Sequence, residues 1–309
     1  MQKTKTPLEA RVGHDRVTDE ASSWASASQQ IVEFTYEQDF IELCGNRGAS
    51  PEDQTSYEYA MALSEYVSQY TDVHTEDGTL TDDEATRLRL IGQYPASSYR
   101  ARIATEWKGE ILNPEDLRFY RGCKLELVKY NQELSDYMYR KGSDLKLRDI
   151  AGAINNGVLQ MSPEPMNISQ RQMMVFLRGA RTEAINHSLV DRLGAMLPDM
   201  VKGRRATPEE DQLGVDFVVN FDGKNLYLDF KSSVEAIVLG GKTATSEGVM
   251  AGYSLKPSRS PDGRRLTVAL LSPPFDEASL GDACSLSDIQ AGPVAMALGN
   301  TLASVAKQV

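Results

Sequence analysis

The residue types most able to do chemistry lie in one segment, QLGVDFVVNFDGKNLYLDFKSS, residues 212–233. Asp222-Gly223 separates two apolar runs, 213–221 and 225–233, and Asp-Gly in that setting predicts a two-residue hairpin turn. With 222 and 223 as the turn, cross-strand partners carry numbers that sum to 445, so Asp216 and Asp229 stand opposite each other. Directly opposed side chains share a sheet face, with Cβ atoms roughly 4.5–5.5 Å apart. Lys231 alternates onto the same face, opposite Gly214. Two opposed like charges destabilise a hairpin, so the pair calls for a counter-charge. Mg²⁺ or Mn²⁺ would supply one, because both prefer carboxylate oxygens and Mg²⁺ is commonly held by one or two carboxylates plus substrate phosphate. Such a site suits phosphodiester hydrolysis: the metal polarises a phosphoryl oxygen and activates water, and Lys231 orients that water or stabilises developing charge. A third acid, Glu183, lies in a helical pattern one turn before His187, with Arg178 and Arg181 beside it to hold phosphates. A lone helical histidine such as His187 is expected to be structural.

These residues resemble the PD-(D/E)xK, or restriction-endonuclease-like, nuclease superfamily, and within it the Holliday-junction-resolvase and Mrr-like branch. The resemblance spans residues 178–233: Gly179-x-x-x-Glu183 on a helix, Gly214-Val215-Asp216 on a strand, and Asp229-x-Lys231 on the next strand. It implies metal-dependent cleavage of DNA by a mixed sheet flanked by helices. It also implies that Glu183, Asp216 and Asp229 are metal ligands and Lys231 the catalytic lysine. The sequence departs from the pattern in placing Val215, not proline, before Asp216. Pro198-Asp199 follows the helix instead, but only Asp216 has a hairpin register against Asp229. No Gln-x-x-x-Tyr follows Lys231, which argues against an exonuclease of the RecB type and for an endonuclease. Glu106-Trp107-Lys108 and Asp144-Leu145-Lys146 also read acid-x-Lys, but in helical context.

The elements that must position these groups form two predicted units. Residues 28–157 show apolar residues at three- and four-residue steps, broken at Gly45–Gly48, Asp77-Gly78 and Asn113-Pro114; the pattern predicts a mostly helical domain over 1–160, with residues 1–27 polar and frayed. Its many tyrosines are expected to pack a helix bundle. Residues 158–168 read as a linker or long loop. A nuclease-like domain is expected over 165–309: a helix from an N-cap at Ser169 to about Leu197, the hairpin, a Gly/Ser/Pro-rich stretch over 240–263, a strand over 266–271, and a helix over 287–307. The fold class is therefore α/β, or α+β: a helical N-terminal domain and a restriction-endonuclease-like mixed sheet core flanked by helices. Lys202, Arg204 and Arg205 form a basic cluster before the hairpin, and Arg259, Arg264 and Arg265 another after it; both suit phosphate contacts that position without reading sequence. Gly240-Gly241-Lys242-Thr243 lacks the earlier glycine that a phosphate-cradling loop needs.

The net charge of the 309 residues is −11, which by itself would argue against a nucleic-acid partner. The excess is local: residues 1–100 hold 8 Lys/Arg against 18 Asp/Glu, and residues 101–309 hold 25 against 26. The acidic end is a docking surface for a basic protein partner, a solvated face, or a shield against indiscriminate DNA binding. Three widely spaced cysteines and no C-x-x-C exclude a disulfide framework and point to a reducing, cytoplasmic setting. No signal peptide or membrane span is expected. The expected partner is DNA, with RNA as an alternative polymer, and a homodimer fits the class. A second functional class also stands: a binding or structural protein that keeps the nuclease fold without cleavage and works through its helical domain.

Overall fold

The computed structural model describes residues 20–50, 56–159, 166–231, 252–260, 262–272, 275 and 277–309. Ten α-helices and a five-stranded mixed sheet form the framework of these described residues. The first seven helices are α1 (Glu20–Phe34), α2 (Gln38–Asn46), α3 (Tyr57–Glu76), α4 (Asp82–Gly92), α5 (Tyr94–Glu106), α6 (Pro114–Lys141) and α7 (Leu147–Ile154). Local chemistry sets their ends. Thr81 and Glu84 form a capping box at α4. In α6, Asn113 accepts from the Glu115 and Asp116 amides, Pro114 takes the first position, and Arg140 and Lys141 sit in the last turn. Trp24, Ile31, Phe34, Leu63, Ile91, Tyr94, Tyr130 and Tyr137 fill the core between these helices. Of the predicted bundle tyrosines, Tyr59, Tyr94, Tyr130 and Tyr137 are buried.

The 31-residue helix α8 (Met166–Met196) begins before the predicted cap at Ser169 and serves both cores. Met173, Leu177, Ala180 and Ala184 pack into the helical layer. Ile185, Leu189, Val190 and Leu193 pack on the sheet, together with Ala295, Leu298, Leu302 and Val305 of the last helix, α10 (Asp288–Ala306). The two cores therefore divide inside α8, between Ala184 and Ile185.

The strands are β1 (Val201–Arg205), β2 (Phe217–Phe221), β3 (Lys224–Phe230), β4 (Tyr253–Arg259) and β5 (Arg265–Leu271), in sheet order β1-β2-β3-β5-β4. Only β3 and β5 run parallel. The hairpin register is the expected one: Phe221 pairs with Lys224, Val219 with Leu226 and Phe217 with Leu228. Asp222 and Gly223 have φ of 48° and 79°, the two positive values of a type I′ turn.

Five expectations need correction. First, the paired strands are shorter than 213–221 and 225–233. Residues 213–215 belong to a turn that closes a short capped helix, α9 (Pro208–Asp211), and Gly214 turns the chain at φ 79°. Second, the basic cluster of Lys202, Arg204 and Arg205, assigned to no element from sequence, lies on the edge strand β1; among that strand's five residues only Val201 is buried, so charge hides the strand pattern. Third, part of the stretch read as a Gly/Ser/Pro-rich loop is strand β4, whose Pro257 is tolerated at the other edge. Fourth, of residues 1–27, expected to fray, 20–27 open α1 and bury Trp24. Fifth, of the linker expected over 158–168, Val158 and Leu159 close a π-helix (Asn155–Leu159) and 166–168 open α8. Residues 1–19, residues 160–165 and the Gly240–Thr243 motif lie outside the described residues.

Candidate functional site

A cleft of about 440 Å³ opens where α6, α8, α9 and the ends of β2 and β3 meet. Glu183, Asp216, Asp229 and Lys231, drawn from positions up to 48 residues apart in sequence, all line it. Asp211, Asn131, Phe176 and Thr182 line it as well.

Asp216 lies one residue before β2. Its amide donates to Leu228 O at 2.7 Å, while Phe217 also pairs with Leu228. This bulge-like step ends the ladder, so Asp216 is not in simple opposition to Asp229 as the register alone suggests. Its carboxylate instead turns along β3 and accepts from the Phe230 amide at 2.6 Å. Asp229, 5% exposed, remains its neighbour, and the two carboxyls are within hydrogen-bonding reach. Lys231 has just left β3. Its amide donates to Leu271 O at 2.7 Å, and its Nζ stands 2.6 Å from Asp229 Oδ2.

Burial dominates the electrostatics. It pushes the Asp216 carboxyl well above the usual range, and the charges of Asp229, Glu183 and Asp211 add to the effect. Asp229 is raised by burial against the opposing pull of Lys231 and Lys256. Asp211 is pushed up to about 6 by burial, against a hydrogen bond from Gln132 Nε2 at 2.9 Å. Glu183 is pushed up to about 7 by burial, against the Arg205 guanidinium. Both the Asp216 and Asp229 carboxyls thus favour the protonated form more than a free aspartate does, and a bound cation would oppose that.

Glu183 is in the cleft wall, but Arg205 holds its carboxylate. Arg205 also binds Asp136 and donates to Gln132 O at 3.0 Å. The expectation of a phosphate contact therefore does not match its partners. Arg204 makes a two-pronged ion pair with Glu210 at 2.7 and 2.8 Å. Arg181 is buried and donates to Gly281 O at 2.8 Å, so it braces the fold. Arg178 and Lys202 are exposed. His187 stacks on Tyr139 at 4.2 Å and lies outside the cleft, against the neighbouring groove that Asp136 also lines. Arg259 and Arg265 line a separate open groove on the β4–β5 hairpin.

The donor set fits a hard divalent cation at the level of two carboxylates, Asp216 and Asp229. Among the described residues no three His, Cys, Asp or Glu side chains form a metal-binding group, so Glu183 does not complete the expected trio. Sequence reasoning missed Asp211, Asn131, Gln132, Asp136 and Lys256; helix α6 brings three of them in from the other core. Among the described residues no helix is long and apolar enough to cross a membrane. Cys44, Cys123 and Cys284 are buried free thiols. Comparison with protein-family models, curated proteins and solved structures returned no match to this chain.

Proposed function

We propose that the chain is a Mg²⁺- or Mn²⁺-dependent nuclease that hydrolyses phosphodiester bonds in DNA, acting as an endonuclease. The observation that carries this reading is the meeting of Asp216, Asp229 and Lys231 in one cleft, on the hairpin that resembles the PD-(D/E)xK motif. A five-stranded mixed sheet packed by α8 and α10 agrees with the core that the resemblance implies.

In this reading Asp216 and Asp229 hold the cation, which when bound would polarise the phosphoryl oxygen and ready a water for attack. Bringing the carboxylates to that state works against the burial that favours their protonated forms. Lys231 assists by favouring the ionised form of Asp229, and as a lining residue of the cleft it would donate to phosphoryl oxygens as charge develops. Val175 and Phe176 supply an apolar part of the cleft wall.

The test is cleavage of labelled linear, circular and branched DNA, and of RNA, by the purified chain with and without Mg²⁺ or Mn²⁺. Metal-dependent cleavage that vanishes in Asp229→Ala and Lys231→Ala is expected. Cleavage that persists in both variants places the chemistry elsewhere. One observation favours a second reading, a nuclease-fold binding protein without cleavage: Arg205 occupies the acid expected to be a third ligand. In that case DNA binding survives Asp216→Asn and no substrate is cut at any metal concentration.

A further inference from the structure

Asn131 sits inside α6, where an asparagine is a weak helix former and its amide competes for hydrogen bonds. Its side chain reaches the same cleft as Asp211, Asp216, Asp229 and Lys231. The Oδ1 atom is buried and has no hydrogen-bond partner among the described residues. Leaving a buried acceptor unmatched costs about 1–3 kcal/mol and is unusual enough in folded proteins to need a reason. Looseness of the helix is not that reason, because the neighbouring residues fasten α6 to the site. Gln132 Nε2 donates to Asp211 Oδ2 at 2.9 Å, Gln132 O accepts from Arg205 at 3.0 Å, and Asp136 pairs with Arg205.

The donors around the cleft are directed elsewhere. Lys231 faces Asp229, Arg205 faces Glu183 and Asp136, and the Phe230 amide faces Asp216. Among the described residues no donor is left for Asn131 Oδ1, so a group from outside them would satisfy it. An amide oxygen is a hard ligand of the kind Mg²⁺, Mn²⁺ and Ca²⁺ accept alongside carboxylates. It lines the same cleft as a pair of carboxylates that lacks a third, and the acid expected to be that third is taken by Arg205.

Resting on the nuclease reading, we propose that Asn131 Oδ1 is the third protein oxygen of the cation site, in the place expected for Glu183. The helical half of the chain then supplies part of the site and is not an appended module.

The experiment is calorimetric titration of Mn²⁺ into the full chain and into Asn131→Ala, Asn131→Asp, Glu183→Gln and Asp216→Asn, each checked by thermal unfolding. Loss of a residue that fixes a metal weakens binding by about tenfold or more, so Asn131→Ala and Asp216→Asn should each show that loss. Asn131→Asp should bind at least as tightly as the unaltered chain. Glu183→Gln should stay within about twofold of it, since the carboxylate removed there is already held by Arg205 and gives the cation nothing. If Asn131→Ala fails to fold, the Asp variant carries the test: weaker Mn²⁺ binding by a folded Asn131→Asp overturns the proposal. Unchanged affinity in Asn131→Ala, with loss in Asp216→Asn, overturns the role of Asn131 and leaves the nuclease reading standing. No Mn²⁺ uptake by the unaltered chain removes the nuclease reading and this proposal with it.

Discussion

Arg205, the last residue of β1, donates through one terminal nitrogen to the Glu183 carboxylate of α8, while the other bonds Asp136 of α6. One guanidinium thereby ties an edge strand of the sheet to both the bridging helix and the helical layer. The Arg205 and Glu183 side chains are only 13% and 15% exposed. Removing one partner of a buried pair leaves the other charge uncompensated, at a cost of about 3–5 kcal/mol, whereas replacing both costs far less. Arg205→Met should therefore lose about 3 kcal/mol at pH 8, and Arg205→Met with Glu183→Leu should recover much of it. Urea unfolding of the three proteins measures this. A single-variant loss under about 1 kcal/mol, the range of an exposed pair, would mean that the contact does not organise the site.

Glu183 and Asp211 give the protein a pH dependence of definite sign. Their folded values, about 7 and about 6, lie above the ordinary 4.5 and 3.8. Across that window the folded chain binds more protons than the unfolded chain, so stability falls as pH rises from about 4 to about 7. In metal-free buffer the unfolding midpoint should drop over that range. Glu183→Gln should flatten the upper part of the slope and Asp211→Asn the lower part. An unchanged slope in both variants would show that neither carboxyl is buried as described.

Hairpin and register were legible in the sequence because they depend on neighbours: Asp222-Gly223 dictates a positive-φ turn, and alternation places Asp229 and Lys231. The bulge-like step at Asp216 was not legible, since it arises from Gly214 and the α9 cap upstream of the strand. Nor was the partner of Glu183. Arg205 and Asp136 are 69 residues apart in sequence and meet only because α6 packs along α8. Asn131 carries no local signal at all; only docking of α6 against the cleft gives it a role. Charge patterning likewise obscured β1, whose residues 202–204 are exposed.

Gly203 makes the approach of β1 to α8 possible. A Cβ at this position would lie 2.3 Å from Val190 Cγ1, inside contact distance. Gly203→Ala must push β1 away from α8 or force Val190 off its rotamer, and overpacking of this kind costs about 1–3 kcal/mol. Because Arg205 lies two residues on, the same shift should loosen its hold on Glu183. Gly203→Ala with Val190→Ala should relieve the clash. Thermal unfolding of the single and double variants tests the argument, and equal destabilisation in both would refute it.

Lys231 separates stability from chemistry most cleanly. Its backbone is pinned by the bond to Leu271 O, and its side chain, 32% exposed, pairs with Asp229 among the acids of the cleft. Lys231→Met removes the ammonium without opening the core, and its buried partner Asp229 can then keep its proton, so the stability loss should be small in mild acid and grow as pH rises. Asp229 would lose its nearest counter-charge and hold its proton to higher pH. Carboxylates must be deprotonated to take a cation, so the pH midpoint of Mn²⁺ binding should rise in this variant. Loss of a group that stabilises transition-state charge lowers turnover by about 10²–10³-fold, and DNA cleavage should fall by that factor even at pH values where Mn²⁺ still binds. Cleavage that recovers fully once the metal is bound would make Lys231 a partner of Asp229 only, with no contact to the reacting phosphate.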